Sequence, residues 1–298
     1  MKKLVILFVI PMMLFAQSEI SERIEAVNEF LHDINATWTA GETSISSMSS
    51  IEFQDTLGLI LNDETGREAF EDVEIEMPTR EALPAYINWK DKGCVTSIKN
   101  QRKCGSCYAF ASCALMESYY LRTEKLELDL SEQAFMMSTK VANLFGGCKG
   151  NTLWVCNGAC ALKGAPIEAE CPYVAEEKEC GKVTKKYKVV CLPTGTVDGI
   201  KKALVKHGPV VAGFMVYEDF KDYKGGVYHY SYGNLLGGHA ILIVGYNDAE
   251  KYWIVKNSWG TDWGESCDGK GGERGYFRIG FGECGIESVP MGPFSAAK

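Results

Sequence analysis

Residues 100–113, NQRKCGSCYAFASC, set Cys104 and Cys107 three apart, with a third cysteine at Cys113. Such a C-x-x-C has three readings: a redox couple, half of a zinc site, or a structural cysteine beside a nucleophile. The residues behind it fix the local structure. From Tyr108 to Leu121 the chain is mostly Ala, Phe, Leu, Met and Tyr, which predicts a buried helix starting at or just before Cys107. A thiol at a helix N-terminus feels the positive end of the macrodipole, and a nearby imidazolium lowers its pKa further. Cys107 is therefore expected to exist as a thiolate near neutral pH.

Downstream of Pro209 the pattern changes to short β-rich runs, PVVAGFMVY, HAILIVGY, YWIVKNSW and GYFRIG, parted by Gly, Asn and Asp turns. Helices first and strands afterwards predict an α+β chain of two lobes. HAILIVGY begins at His239, YWIVKNSW ends at Trp259, and NDAEK joins them. As an antiparallel hairpin centred on Asp248, they set His239 opposite Asn257. A carboxamide accepting from one ring nitrogen fixes the tautomer and leaves the other nitrogen free to take or give a proton. A lone histidine in a hairpin is by default merely satisfied there, but Cys107 supplies a nucleophile for this one to serve. Gln101, six residues upstream of Cys107, can donate its side-chain NH2 to an oxyanion beside the Cys107 N–H.

Bulk properties bound the rest. A chain of 298 residues, 46% hydrophobic, can bury one large or two modest cores. Lys2 and Lys3 precede an apolar run from Leu4 to Phe15 that is too short to span a bilayer, so residues 1–16 are expected to be a secretory signal peptide rather than a membrane anchor. Residues 17–79 hold 15 Asp and Glu against Arg23 and Arg67, a net of −13, whereas residues 80–298 carry +3. All twelve cysteines lie at or after Cys94, as expected of a disulfide-bonded exported domain behind an acidic leader. Met77-Pro78 and Leu83-Pro84 break helical structure at the boundary. In the leader, Ile20, Ile24, Val27, Leu31 and Ile34 predict an amphipathic helix capped by Ser18 or Ser21. No basic stripe supports nucleic-acid binding.

NQRKCGSCYAF resembles the nucleophile signature of papain-like cysteine peptidases, and His239 and Asn257 follow Cys107 by 132 and 150 residues. LPAYINWKDKGCVTSIKNQ is similar to a mature N-terminus, LSEQ (130–133) and GCKG (147–150) to later landmarks, and NSWGTDWGE to the loop on the base side. Within the family the chain looks most like cathepsin B, through GPVVAGFMVYEDFKDYKGGVYHY, GGHAI, CGIES and the leader's WTAG (38–41). The paired histidines of cathepsin B's occluding loop have no counterpart, because His32, His207, His229 and His239 are never adjacent. That difference implies an open cleft and an endopeptidase.

The resemblance implies a papain-like two-lobe fold, with a helical left lobe, a β-barrel-like right lobe and the cleft between them. It implies Cys107 as nucleophile, His239 as general acid/base, Asn257 as its orienter, Gln101 as oxyanion donor and Trp259 as a shield over the His–Asn bond. Gly150 and Asn151 would pair with an extended substrate. The family's Asn-Gly-Gly there reads Lys149-Gly150-Asn151, and Asn tolerates positive φ better than most residues. Ala240 and Val289 would line the pocket for the second substrate residue, with Val289 favouring an apolar side chain. Tyr108 replaces the usual Trp, a change of packing.

Position matching with the family implies the disulfide Cys104–Cys148. Cys171 and Cys180 flank the short loop CPYVAEEKEC and are expected to pair, and Cys267, in the insertion ESCDGKGGE, is expected to reach Cys284, whose usual family partner upstream of the histidine is missing here. Cys156 and Cys160 lie one helical turn apart; a zinc or redox role is open to them, but no further ligand spacing lies nearby, which favours a buried or separately bridged pair. Cys94, Cys113 and Cys191 stay unassigned, and no metal or cofactor is expected. The resemblance further implies that residues 17–79 lie through the cleft as an inhibitory propeptide, with residues 80–298 as the mature domain. Protonation of the acidic leader would weaken the latch near pH 4 to 5. The expected partners are polypeptide substrates and the chain's own leader, with no stable membrane anchor, and the enzyme is expected to act as a monomer. It is expected to be secreted or sent to a lysosome- or vacuole-like compartment, or to the periplasm or outside if bacterial. Two rival readings are a catalytically inactive papain-shaped binding protein and a thiol–disulfide oxidoreductase using Cys104 and Cys107.

Overall fold

The computed structural model describes residues 6–61, 82–142, 144–267, 271–288 and 290–297. The leader opens with α1 (Ile6–Asp33). Its three- and four-residue spacing turns Val27 and Leu31 inward, while Ile34, past the helix end, stays exposed. Asn28 then grips the returning chain with both ends of its amide: Nδ2 donates to the Ala40 carbonyl at 3.0 Å and Oδ1 accepts from the Ala40 N–H at 2.9 Å. This holds β1 (Trp38–Ala40) against β5 (Tyr223–Tyr228) of the main domain. The short α2 (Ser50–Gln54) starts with a reciprocal Ser49–Glu52 capping box.

The apolar run behind Cys107 forms α3 (Cys107–Glu124), whose faces are buried nearly all round, as a helix at the centre of a lobe requires. Around it lie α4 (Glu132–Ser138) and α5 (Leu153–Leu162), and α6 (Val197–His207) packs beside the sheet. A buried ionic knot ties the helical part together. The Lys99 ammonium lies 2.8 Å from Glu117, 2.6 Å from Asp129 and 2.8 Å from Glu132. Glu117 also accepts from the Leu130 N–H and the Thr96 hydroxyl, so its charge is fully paired although the side chain is buried.

Ten strands join in one sheet among the described residues: β1, β5, β9 (Arg274–Gly280), β7 (Tyr252–Lys256), β6 (Leu235–Asn247), β4 (Val210–Tyr217), β10 (Met291–Ala296) and β3 (Val189–Pro193), with β2 (Tyr86–Asn88) on β6 and β8 (Glu265–Ser266) on β9. The barrel-like lobe is corrected by this order. The sheet is open, because its end strands β1 and β3 do not pair with each other; the leader supplies one edge and α5 packs over the other.

The hairpin register also differs from expectation. β6 and β7 pair Leu242 with Lys256 and Asn247 with Tyr252, two to three positions from the register centred on Asp248. A bulge between Ile243 and Gly245 absorbs one residue. At the turn, Asn247 Oδ1 accepts from the N–H groups of Ala249 and Glu250, which moves the hairpin centre beyond Asp248.

Candidate active site

The ladder between β6 and β7 ends at Lys256, so Asn257 stands just beyond it and its side chain turns toward His239, which pairs with Phe214 of β4. His239 Nε2 and Asn257 Oδ1 are 2.7 Å apart. The same Oδ1 accepts the Ser258 N–H at 2.8 Å. An oxygen can only accept, so His239 carries its proton on Nε2 and leaves the lone pair on Nδ1. Nδ1 is buried and makes no hydrogen bond. Trp259 lies across this pair, its ring 4.5 Å from the imidazole, and Phe53 of the leader's α2 stacks edge-on against Trp259 at 5.3 Å.

Cys107 is the first residue of α3, and its sulfur accepts from the N–H of Ala240, the residue after His239, at 3.4 Å. Gln101 sits in the loop before the helix. Its Oε1 accepts from the Ser258 hydroxyl at 2.7 Å, which turns Nε2 toward the cleft. Nε2 donates to the Cys104 carbonyl at 2.9 Å and to the Thr56 carbonyl, from the leader, at 2.7 Å.

The leader therefore occupies the site itself. Leu59 bridges both cleft walls, pairing with Asn151 on one side and Gly238 on the other. Its N–H donates to Gly238 O at 3.0 Å, Asn151 N–H donates to Gly58 O at 2.9 Å, and Ile60 N–H donates to Asn151 O at 3.0 Å. Gly58 is needed there, since a Cβ on it would lie 1.8 Å from the Gly105 carbonyl oxygen. The Leu59 side chain packs over Gly213, where a Cβ would lie 2.1 Å from Leu59 Cδ2, and near Leu153. Ala240 is the strand partner of Gly213. Val289 lies outside the described residues.

Burial governs the protonation of this closed site. It pushes the Cys107 thiol up to about 11, against the pull of the Ala240, Gly58 and Tyr108 N–H groups on the sulfur. It pushes His239 down to about 4, against the Asn257 hydrogen bond. In the leader-filled cleft desolvation thus opposes both the thiolate and the imidazolium, against the pull of the helix dipole.

Disulfides join Cys104 to Cys148 and Cys171 to Cys180. Cys104 is thus unavailable to Cys107, so the C-x-x-C is not a redox couple. The expected Cys267–Cys284 bridge is not formed. The Cys267 thiol points at Asn88 Oδ1, 3.4 Å away, while Cys284, in the 3-10 turn Glu283–Gly285 beyond β9, lies beside the Tyr228 hydroxyl. The expected need for positive φ at Asn151 is also corrected. Gly150 takes it, at +86°, whereas Asn151 is buried and its amide donates to the Thr139 carbonyl. Sequence reasoning missed Ser258, Leu153 and Gly213. A glycine inside the strand PVVAGFMVY was the available signal for a close approach at Gly213.

A model of the papain family of cysteine proteases matches residues 83–294. This chain belongs to that family. The papain-family chain is 31% identical over 282 residues to a cathepsin L-like proteinase of Phaedon cochleariae, covering 88% of this chain and 82% of the relative. It is 34% identical over 279 residues to ananain of Ananas comosus, covering 86% and 74%. Among solved structures, procathepsin L2 from the larval midgut of Tenebrio molitor superposes with a TM-score of 0.76 at 27% identity, covering 93% of this chain and 90% of that one. Procathepsin B S9 from Trypanosoma congolense superposes with a TM-score of 0.75, covering 93% and 98%, and at 22% identity it speaks for the fold alone. The likeness to cathepsin B within the papain family rests on the sequence motifs.

Proposed function

We propose that this papain-family cysteine protease is an endopeptidase zymogen in which Cys107, His239, Asn257 and Gln101 perform the chemistry and residues 56–61 hold it off. One observation carries the reading: the leader's Thr56 carbonyl and Gly58 N–H engage the Gln101 amide and the Cys107 sulfur, where a scissile carbonyl would react. With the leader gone and water admitted, His239 Nδ1 takes the Cys107 proton and the sulfur adds to the substrate carbonyl. Gln101 Nε2 and the Cys107 N–H receive the oxyanion, and the imidazolium, still donating from Nε2 to Asn257, protonates the leaving amine. Water then attacks the thioester, with His239 as base, and Cys107 is restored.

The pocket filled by Leu59 supports an apolar preference at the second substrate residue, with Gly150 and Asn151 pairing the substrate backbone. Residues 1–16 act as an export signal, 17–79 as the inhibitory segment and 80–298 as the mature enzyme, which works alone outside the cytosol. Cys107→Ser and His239→Ala should each abolish hydrolysis of a fluorogenic peptide with Leu at that second position, and Leu→Asp in the peptide should lower kcat/KM by about 100-fold. Full activity in Cys107→Ser would end this reading.

A further inference from the structure

We infer that Tyr173 is a positioning residue for the oxyanion donors, acting through a directed hydrogen-bond chain that ties both ends of the loop from Gln101 to Ser106; this rests on the reading of Gln101 given above. The Tyr173 hydroxyl lies 2.8 Å from the Gln101 carbonyl and 2.7 Å from the Ser106 hydroxyl. The carbonyl can only accept, so the phenol hydrogen goes to Gln101 and the Ser106 hydroxyl must donate to the phenol oxygen. The alternative acceptor for Ser106, the Cys104 carbonyl, is 3.5 Å away.

The two residues so joined bracket the site. Gln101 carries the amide at one end, and Ser106 at the other precedes Cys107, whose N–H is the second donor. Ser106 caps α3 without a side-chain bond to the helix, because its hydroxyl is committed to Tyr173. Tyr173 is itself braced: its N–H donates to Glu168 Oε1 at 2.7 Å, its ring meets Phe110 edge-on at 4.8 Å, and the Cys171–Cys180 bridge starts two residues before it. Nothing in the chemistry assigned to the site touches this phenol. Its effect is on where two N–H groups stand, and catalytic donors lose most of their effect when displaced by about 1 Å.

The test uses the processed enzyme. Tyr173→Phe keeps the ring and removes the oxygen, so kcat on a peptide substrate should fall about tenfold with KM within about twofold. In a Gln101→Ala background the same change should cost less, about threefold, because one of the two donors being positioned is gone and only the Cys107 N–H is left to misplace. Alkylation of Cys107 by iodoacetamide, which forms no oxyanion, should keep its rate in Tyr173→Phe. An unchanged kcat, an equal tenfold loss in both backgrounds, or a matching loss in alkylation rate overturns the inference. If Tyr173→Phe does not fold, Ser106→Ala carries the test, with about a threefold loss of kcat that is smaller in Gln101→Ala. An unaltered kcat in Gln101→Ala alone would instead bring down the oxyanion reading itself.

Discussion

Asn257 fixes the protonation of His239 through a detail two bonds long. Because Oδ1 already accepts from the Ser258 N–H, the imidazole is left with its lone pair on Nδ1. Asn257→Ala removes both this bond and the tautomer preference, and kcat should fall by about 10- to 100-fold with little change in KM, as steady-state kinetics on a short peptide will show. Gln101→Ala should lower kcat by about 100-fold and at the same time weaken the leader, because the donor lost to the oxyanion is the donor lost to Thr56. Parallel measurement of kcat and of inhibition by added leader peptide checks both; a change in only one separates the roles. The facing of His239 and Asn257 was legible in the sequence, although by a register two to three residues off. The side chains meet because Asn257 lies past the end of the ladder, where a two-strand count no longer applies. The raised thiol pKa was not read from the sequence: the resemblance already put the leader through the cleft, but the reading of Cys107 weighed the helix dipole and not the water that the leader displaces.

At the scale of elements, the leader strand works because its contact residue has no side chain. Gly58→Ala would place a Cβ against the Gly105 carbonyl, so the strand must lift away. The full-length variant should process itself at least about tenfold faster than the parent at the same pH, read by gel and N-terminal sequencing. The knot around Lys99 belongs to the same scale. Lys99→Met leaves Glu117 and Glu132 buried without their cation, at a cost of about 3–5 kcal/mol, measurable as a large fall in the denaturation midpoint. The helix behind Cys107 was plain from its apolar run. The open sheet was not, because whether the end strands β1 and β3 meet is a long-range matter that the alternation within any strand does not report.

For the whole molecule, the proposed latch is expected to weaken with acidity through the site as well as through net charge. His239 has a folded pKa of about 4 in the filled cleft, below its ordinary value near 6.5. A depressed histidine is neutral in the latched form, so stability of that form is present above about pH 6.5 and is lost as pH falls toward 4. Cys107, raised to about 11, adds stability that is lost only above about pH 9, in the alkaline range. Leader binding to processed Cys107→Ala enzyme should therefore weaken between pH 6.5 and 4 with uptake of about one proton at His239, and His239→Ala should flatten that part of the curve. Contacts away from the cleft hold the same latch: Arg23 and the Ser46 hydroxyl share Asp222 of the main domain at 3.0 and 2.6 Å, while Trp38 stacks on Tyr223 and lies tilted against Tyr228.

The central claim is that one thiol is both the nucleophile and the group the leader silences. It is tested most directly by treating the full-length and the acid-processed protein with an epoxide that alkylates activated thiolates, and locating the adduct by peptide mass. The expected result is no adduct on Cys107 in the full-length chain at neutral pH, then rapid modification of Cys107 after processing, in step with loss of peptidase activity. Equal labelling of Cys107 before and after processing, or full activity with Cys107 modified, would contradict it.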